Sequence, residues 1–195
     1  MTNIVLASSS ESRKSLLSQI LIKFIAVDPD CDETPQDGET PFEIAKRLGQ
    51  QKAESLSHTF NQHLIIGSDQ VATFDDKIAI GKPMTQEAAY LQLKQSSGRI
   101  LKFYTSICLL NSNTGHKHIA VEATSVTFRS LTDIQIHAYL KKEDVRFCAG
   151  SFKAESLGPA LFTNINGTDP SSLIGLPLIR LTDFLSQEGV DPLLL

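Results

Sequence analysis

Asn3-Ile-Val-Leu-Ala-Ser-Ser-Ser-Glu-Ser-Arg-Lys-Ser-Leu-Leu17 sets an apolar run against a serine-rich turn and a helix start. Ile4 to Ala7 reads as a short buried strand. Leu16, Leu17, Ile20 and Leu21 recur at the spacing of one helical face. The turn between them, Ser8 to Lys14, has two readings. Its serines, Arg13 and Lys14 could grip an anion at a helix N-terminus, where free N–H groups and the positive dipole end lie. Equally, Ser8 could cap the helix, with Glu11 completing a capping box. It is not a Walker A loop, because it lacks the glycines and the Gly-Lys-Ser/Thr ending.

A strand–turn–helix opening predicts an α/β chain, and the rest of the sequence qualifies that. A second strand is expected over residues 22–27. Residues 28–40 hold two prolines, a glycine and six acidic residues, so they form a loop. Pro41 suits the first turn of a helix reaching about residue 57. Residues 63–67 read as a buried strand continuing through 68–73, and 78–80 as a short strand before the turn Gly81-Lys-Pro83. A helix over 85–96 should partly bury Ala88, Leu91 and Leu93. Two long strands, 100–111 and 120–130, flank a turn at Ser112-Asn-Thr-Gly115 and look like a hairpin. Thr132 should cap a helix to about residue 142. Residues 150–175 form a long irregular loop, a frequent carrier of function. A last helix is expected over 171–187, interrupted at Pro177. Interleaved helices and strands with hairpin pairs predict a mixed α/β (α+β) domain over 1–195, with helices flanking an elongated mixed sheet. Two lobes around a cleft would suit the two groups of polar loops.

Composition excludes several classes. The chain has 195 residues, 41% of them hydrophobic, and a net charge of −4. That is enough for a core but offers no broad basic surface for nucleic-acid polymers or an anionic membrane. Any anionic ligand must be held by a local cation cluster. The three cysteines, Cys31, Cys108 and Cys148, are far apart and odd in number, and are expected as buried free thiols. The five histidines show no ligand spacing and are read as surface or core residues. No signal peptide or membrane-length apolar run is seen, so a cytoplasmic protein is expected.

Several polar groups could carry chemistry. Asp69 follows a buried strand, where α/β folds place catalytic groups, and its carboxylate could accept a proton or hold Mg²⁺. Gln70 could read a base edge or satisfy the backbone. Asp32-Glu33 is a weak metal signal within an acidic turn. Lys82 is fixed by glycine and proline in its turn. Lys52 lies on the helix after the acidic loop, and Arg99 ends a helix. Gly150-Ser-Phe-Lys-Ala-Glu155 joins Phe152, which could stack on a base or fill a core, to a cation and a carboxylate.

The order of these motifs is more specific than any one alone. Leu6 to Leu17, Asp32-Glu33, Gly67-Ser-Asp-Gln-Val71, Gly81-Lys-Pro83, Ser97-Gly-Arg99, Gly150-Ser-Phe-Lys153 and Ile174-Gly-Leu-Pro177 together resemble the Maf family of nucleotide pyrophosphatases. The resemblance implies a cleft fold related to inosine triphosphatases and hydrolysis of nucleoside triphosphates to monophosphate and pyrophosphate. It also implies a divalent cation: Mg²⁺, with Mn²⁺ or Co²⁺ as alternatives. It makes Asp69 the proton acceptor and a metal contact, with Glu33 helping to hold the metal. Ser8, Arg13, Lys52 and Lys82 would bind phosphates. Family members are often dimers, so a homodimer is expected.

Ser-Asp-Gln-Val and Gly-Ser-Phe-Lys are similar to the branch acting on 7-methyl-GTP, whereas the dTTP/UTP branch usually has Asp-Thr at the positions of Asp69-Gln70. Specificity positions there correspond to Ser12, Gln70 and Glu155. This chain departs from the common family turn, which has Pro-Arg where Glu11-Ser12 stands, so one phosphate-binding charge is absent. Ser156 also replaces a usual glycine. A 7-methyl-GTP pyrophosphatase with a house-cleaning role is the expectation. A dTTP/UTP or broader enzyme, or a nucleotide-binding regulator of division, are the alternatives.

Overall fold

The opening strand forms because both of its faces are covered. In β1 (Asn3–Ala7) every residue after Asn3 is buried, the pattern of an inner parallel strand. It pairs in parallel with β2 (Ile25–Val27) on one side and β3 (His63–Gly67) on the other. The computed structural model describes residues 3–21 and 23–194. The expected second strand narrows to β2, and Ile22 lies outside the described residues.

After β1, Ser8 and Ser9 form an extra turn before α1 (Glu11–Leu17). The helix cap is therefore Ser10, which accepts from Arg13 N at 3.4 Å. Ser8 is not the cap and Glu11 completes no capping box; Glu11 pairs with Lys14 instead. α2 (Pro41–Ser55) starts at Pro41 with a full Thr40–Glu43 capping box.

The sheet then turns antiparallel. β5 (Ile100–Asn111) and β6 (Lys117–Phe128) form a long hairpin, and β7 (Phe162–Gly167) pairs with β6. β3 pairs with one end of β5, at Cys108 to Asn111. β4 (Gln70–Thr73) pairs with the other end, at Lys102 to Thr105. One long strand thus carries two successive partners, giving a seven-stranded mixed sheet of order β2-β1-β3-β5-β6-β7 with β4 beside β5. The mixed, elongated sheet is the architecture expected.

Each half has its own core. In the first, alternate residues face opposite layers. Leu6, Ile66 and Leu109 pack against α1 and α5 (Leu178–Gln187), while Val5, Ile65 and Cys108 pack against α2. In the second, Phe103, Val126 and Phe162 lie under α3 (Gln86–Ser96) and α4 (Asp133–Leu140). Phe152 belongs to this core, edge-on to Phe103, Phe128 and Phe162, so it is no base-stacking ring.

Local expectations shift where packing overrides pattern. Ala89, not Leu91, is buried in α3, because the helix presents a narrower face to the sheet; Leu91 stays exposed. The expected last helix divides into a 3-10 turn, Pro170–Leu173, and α5 beyond Pro177. Of residues 78–80 only Ile80 makes a bridge, to Ala72. Cys108 is buried, but Cys31 and Cys148 are half-buried. Among the described residues no helix is long and apolar enough to cross a membrane.

α2 crosses β3 very closely. A Cβ at Gly67 would overlap the Gly49 carbonyl oxygen and the Ala53 backbone nitrogen. Both obstacles are backbone, so neither can rotate away. Gly67→Ala should cost at least about 3 kcal/mol, the upper part of the overpacking range, read as a shifted midpoint in denaturant unfolding.

Candidate active site

β3 ends at Gly67 and β4 begins at Gln70, so Ser68 and Asp69 form the joint between the halves. The joint is pinned on both sides. Ser68 Oγ donates to the Ser106 carbonyl at 2.7 Å and lies 2.8 Å from the Gly175 carbonyl, and Asp69 N donates to Ser106 Oγ at 3.0 Å. These bonds satisfy groups that left both ladders. They also aim the buried Asp69 carboxylate at α2.

There Lys52 meets it. Gly49 brings the helix close and Lys52 lies one turn further on, donating to Asp69 Oδ1 at 2.6 Å. The same ammonium is 2.6 Å from Glu33 Oε1, and Lys82 is 3.7 Å from Glu33 Oε2. The acidic loop therefore folds Glu33 onto the site. Its neighbour Asp32 turns outward and accepts from Thr34 N instead, so only one member of the Asp32-Glu33 pair takes part.

Charges buried this way are costly unless paired and hydrogen-bonded. Burial and the nearby Arg13 cation work against the Lys52 ammonium. The charge of Asp69 and the hydrogen bonds to Asp69 and Glu33 outweigh them, so its pKa rises above the ordinary lysine value. Burial likewise opposes the Glu33 carboxylate, but Lys52, Lys82 and Arg13 bring its pKa below the usual glutamate value. Arg13 goes the other way: burial lowers its pKa against the pull of Asp69 and Glu33.

Arg13 Nε donates to the Gly175 carbonyl at 2.8 Å, the same oxygen that Ser68 approaches. One carbonyl of the late loop thereby joins α1, the joint and residues 170–177. On the facing wall, Ser12 Oγ donates to Glu155 Oε1 at 2.5 Å across 143 residues of sequence. Gln70 Nε2 lies 3.0 Å from Thr105 Oγ1 and 2.9 Å from the Ser172 carbonyl. Its amide nitrogen is thus engaged, and its carbonyl end has no protein donor among the described residues.

Arg13, Lys52, Asp69, Lys82, Ser12, Gln70 and Glu155 all line one cleft, which with its open mouth encloses about 720 Å³. Glu33 joins through its two lysines. Ser8 does not line the cleft: it is buried and its Oγ accepts from Ser10 N at 3.1 Å, holding the turn's shape. Arg99 is absent too, its guanidinium 4.1 Å over the Phe74 ring. Lys153, Phe147, Leu173 and Ile174 also line it, as does an edge of the otherwise buried Phe152. Phe147 is 63% exposed, and no local pattern distinguishes it from a core phenylalanine.

The fold and the sequence have relatives. The Ham1 protein of Staphylococcus aureus superposes with a TM-score of 0.55 over 96% of this chain and 100% of that chain, at 16% identity. A HAM1 protein from Coxiella burnetii is 21% identical over 66% of this chain and 73% of its own, with a TM-score of 0.46. The first likeness is one of fold, since sites are grafted on folds independently. A family model described as Maf-like protein matches residues 3–188, a span that includes every cleft residue described above. This chain belongs to the family of Maf-like proteins.

Proposed function

We propose that this protein is a nucleoside triphosphate pyrophosphatase that hydrolyses 7-methyl-GTP to 7-methyl-GMP and diphosphate, clearing a modified nucleotide before it is incorporated. The observation that carries the reading is the buried Asp69 bonded to Lys52 in a cleft shared with Arg13, Lys82 and Glu155.

A divalent cation is part of the proposal, and the residues fit one. Asp69 and Glu33 offer carboxylate oxygens that already converge on a single cationic point, the Lys52 ammonium, 2.6 Å from each. Hard cations such as Mg²⁺ take such oxygens together with substrate phosphates; Mn²⁺ or Co²⁺ could serve in its place. Charge argues the same way. The cations Arg13, Lys52, Lys82 and Lys153 face the carboxylates Glu33, Asp69 and Glu155. A triphosphate brings more negative charge than that small surplus can balance. When bound, the ion would supply Lewis-acid neutralisation of the phosphate oxygens.

The chain's own residues do the rest. Arg13, Lys52 and Lys82 hold phosphate oxygens, Arg13 with a planar fork suited to bidentate contact. Asp69 takes a proton from the water that attacks the α-phosphorus, and pyrophosphate leaves. Cations fixed before the reaction stabilise charge in the transition state without reorganising. Glu155, oriented by Ser12, accepts from the N1–H and 2-amino edge of guanine and offsets the positive charge of the methylated ring. Gln70 presents its amide oxygen beside it.

Three measurements test the reading. With equal concentrations of 7-methyl-GTP, GTP, UTP and dTTP, pyrophosphate should be released fastest from 7-methyl-GTP. Orthophosphate without pyrophosphate would overturn it. Asp69→Asn should lower turnover by about 10²–10⁴-fold, the usual worth of a general base, and full activity in that variant would refute the assignment. Glu155→Ala should narrow the preference for 7-methyl-GTP over UTP by about tenfold or more, the worth of a charged hydrogen bond, read as the ratio of kcat/KM values. An unchanged ratio removes Glu155 from base recognition.

A further inference from the structure

We propose that His116, His118 and Glu188 form a binding site for a transition-metal dication such as Zn²⁺, remote from the cleft. The histidines show no ligand pattern along the chain. Folding changes this. His116 ends the hairpin turn and His118 enters β6, so residues two apart present neighbouring rings. Glu188 caps the C-terminal end of α5 and reaches across to both. His118 Nε2 is 2.7 Å and His116 Nδ1 3.3 Å from the same oxygen, Glu188 Oε1. One ligand atom from each residue lies within 4.8 Å of the others. Ligands around one tetrahedral ion at about 2.0–2.1 Å sit about 3.4 Å apart, near the 2.7 and 3.3 Å found here, so small shifts complete the site.

The surroundings favour a held ion over a loose surface cluster. Asn111 Nδ2 donates to Glu188 Oε2 at 2.6 Å and leaves Oε1 turned to the imidazoles; such outer partners orient metal ligands. The His118 ring stacks on Phe184, with centroids 5.2 Å apart, and meets His116 edge-on at 4.4 Å. His118 and Glu188 side chains are only 11% and 12% exposed, while His116 is 60% exposed. Two ligands are thus preorganised and the third opens the site to an ion and to water. Two imidazoles with one carboxylate suit Zn²⁺, Ni²⁺, Co²⁺ or Cu²⁺, and suit Mg²⁺ poorly because it prefers oxygen alone.

The site is separate from the cleft. His118 pairs with Leu109, whose side chain faces α5. Ser106, which fixes Asp69, faces Gly49 of α2 on the opposite side of the sheet. A bound ion would tie the hairpin turn to the end of α5 and stabilise the folded chain by mass action. This inference does not rest on the activity proposed for the cleft.

The test uses the full chain, stripped of metal, carrying Asp69→Asn to weaken metal binding in the cleft. Titration with Zn²⁺ should show one equivalent bound and a melting temperature that rises with Zn²⁺ but not with Mg²⁺. His116→Ala, exposed enough to leave folding intact, and Glu188→Gln should each weaken binding by at least about tenfold. With Co²⁺ as probe, the visible absorption of imidazole ligation should appear in the parent and vanish in His116→Ala/His118→Ala. Zn²⁺ binding of equal strength in that double variant, or no binding in the parent, would overturn the proposal.

Discussion

The structure depends on how closely α2 lies against the joint between β3 and β4. Gly49 and Gly67 remove the side chains that would hold helix and strand apart. Lys52, one turn beyond Gly49, then reaches Asp69 at 2.6 Å with both groups almost out of solvent. An ammonium and a carboxylate taken that far from water are stable only as a pair. The contact therefore couples packing to charge: the glycines set the distance at which the two groups pair.

The sheet explains why the pair lies in a cleft. β5 runs through both halves, with β3 along one end and β4 along the other. Where one partner gives way to the next, two residues leave the ladder, and their backbone and side chains must find bonds elsewhere. Ser106 and Gly175 provide them. The late loop is therefore drawn to the joint, bringing the Gly175 carbonyl to Arg13. The second half contributes Glu155, which Ser12 of α1 reaches across the opening.

Opposite signs are interleaved around that space. Glu33 sits between Lys52 and Lys82, and Asp69 beside Lys52. Lys52 and Lys82 each have a carboxylate partner, so a phosphate must compete for them. Such an arrangement favours a ligand that arrives with positive charge of its own, which is why the proposed nucleotide and the proposed divalent cation belong together. Ser8, placed among the phosphate-binding residues by resemblance, contributes one step back, as a buried acceptor that shapes the turn.

Elements with strong periodicity or clear caps were legible along the chain: β1, the start of α2 at Pro41, the β5–β6 hairpin and the cap of α4 at Thr132. Their signals are local, since alternation, proline and capping act within a few residues. The ordered motifs likewise single out Arg13, Lys52, Asp69, Lys82 and Glu155, which the fold gathers in one cleft. Four things were decided only by tertiary structure: the true cap at Ser10, Phe152 as core, the inward turn of Glu33 but not Asp32, and the meeting of His116 and His118 with Glu188. Apart from the cap, a contact over three residues, each depends on groups distant in sequence, the last across 72 residues. The chain by itself determines which residue types are present and how each short segment prefers to fold. Which of them share an environment, and so which charges are paired and which rings are buried, follows from the docking of helices on a sheet, where distance in space replaces distance in sequence.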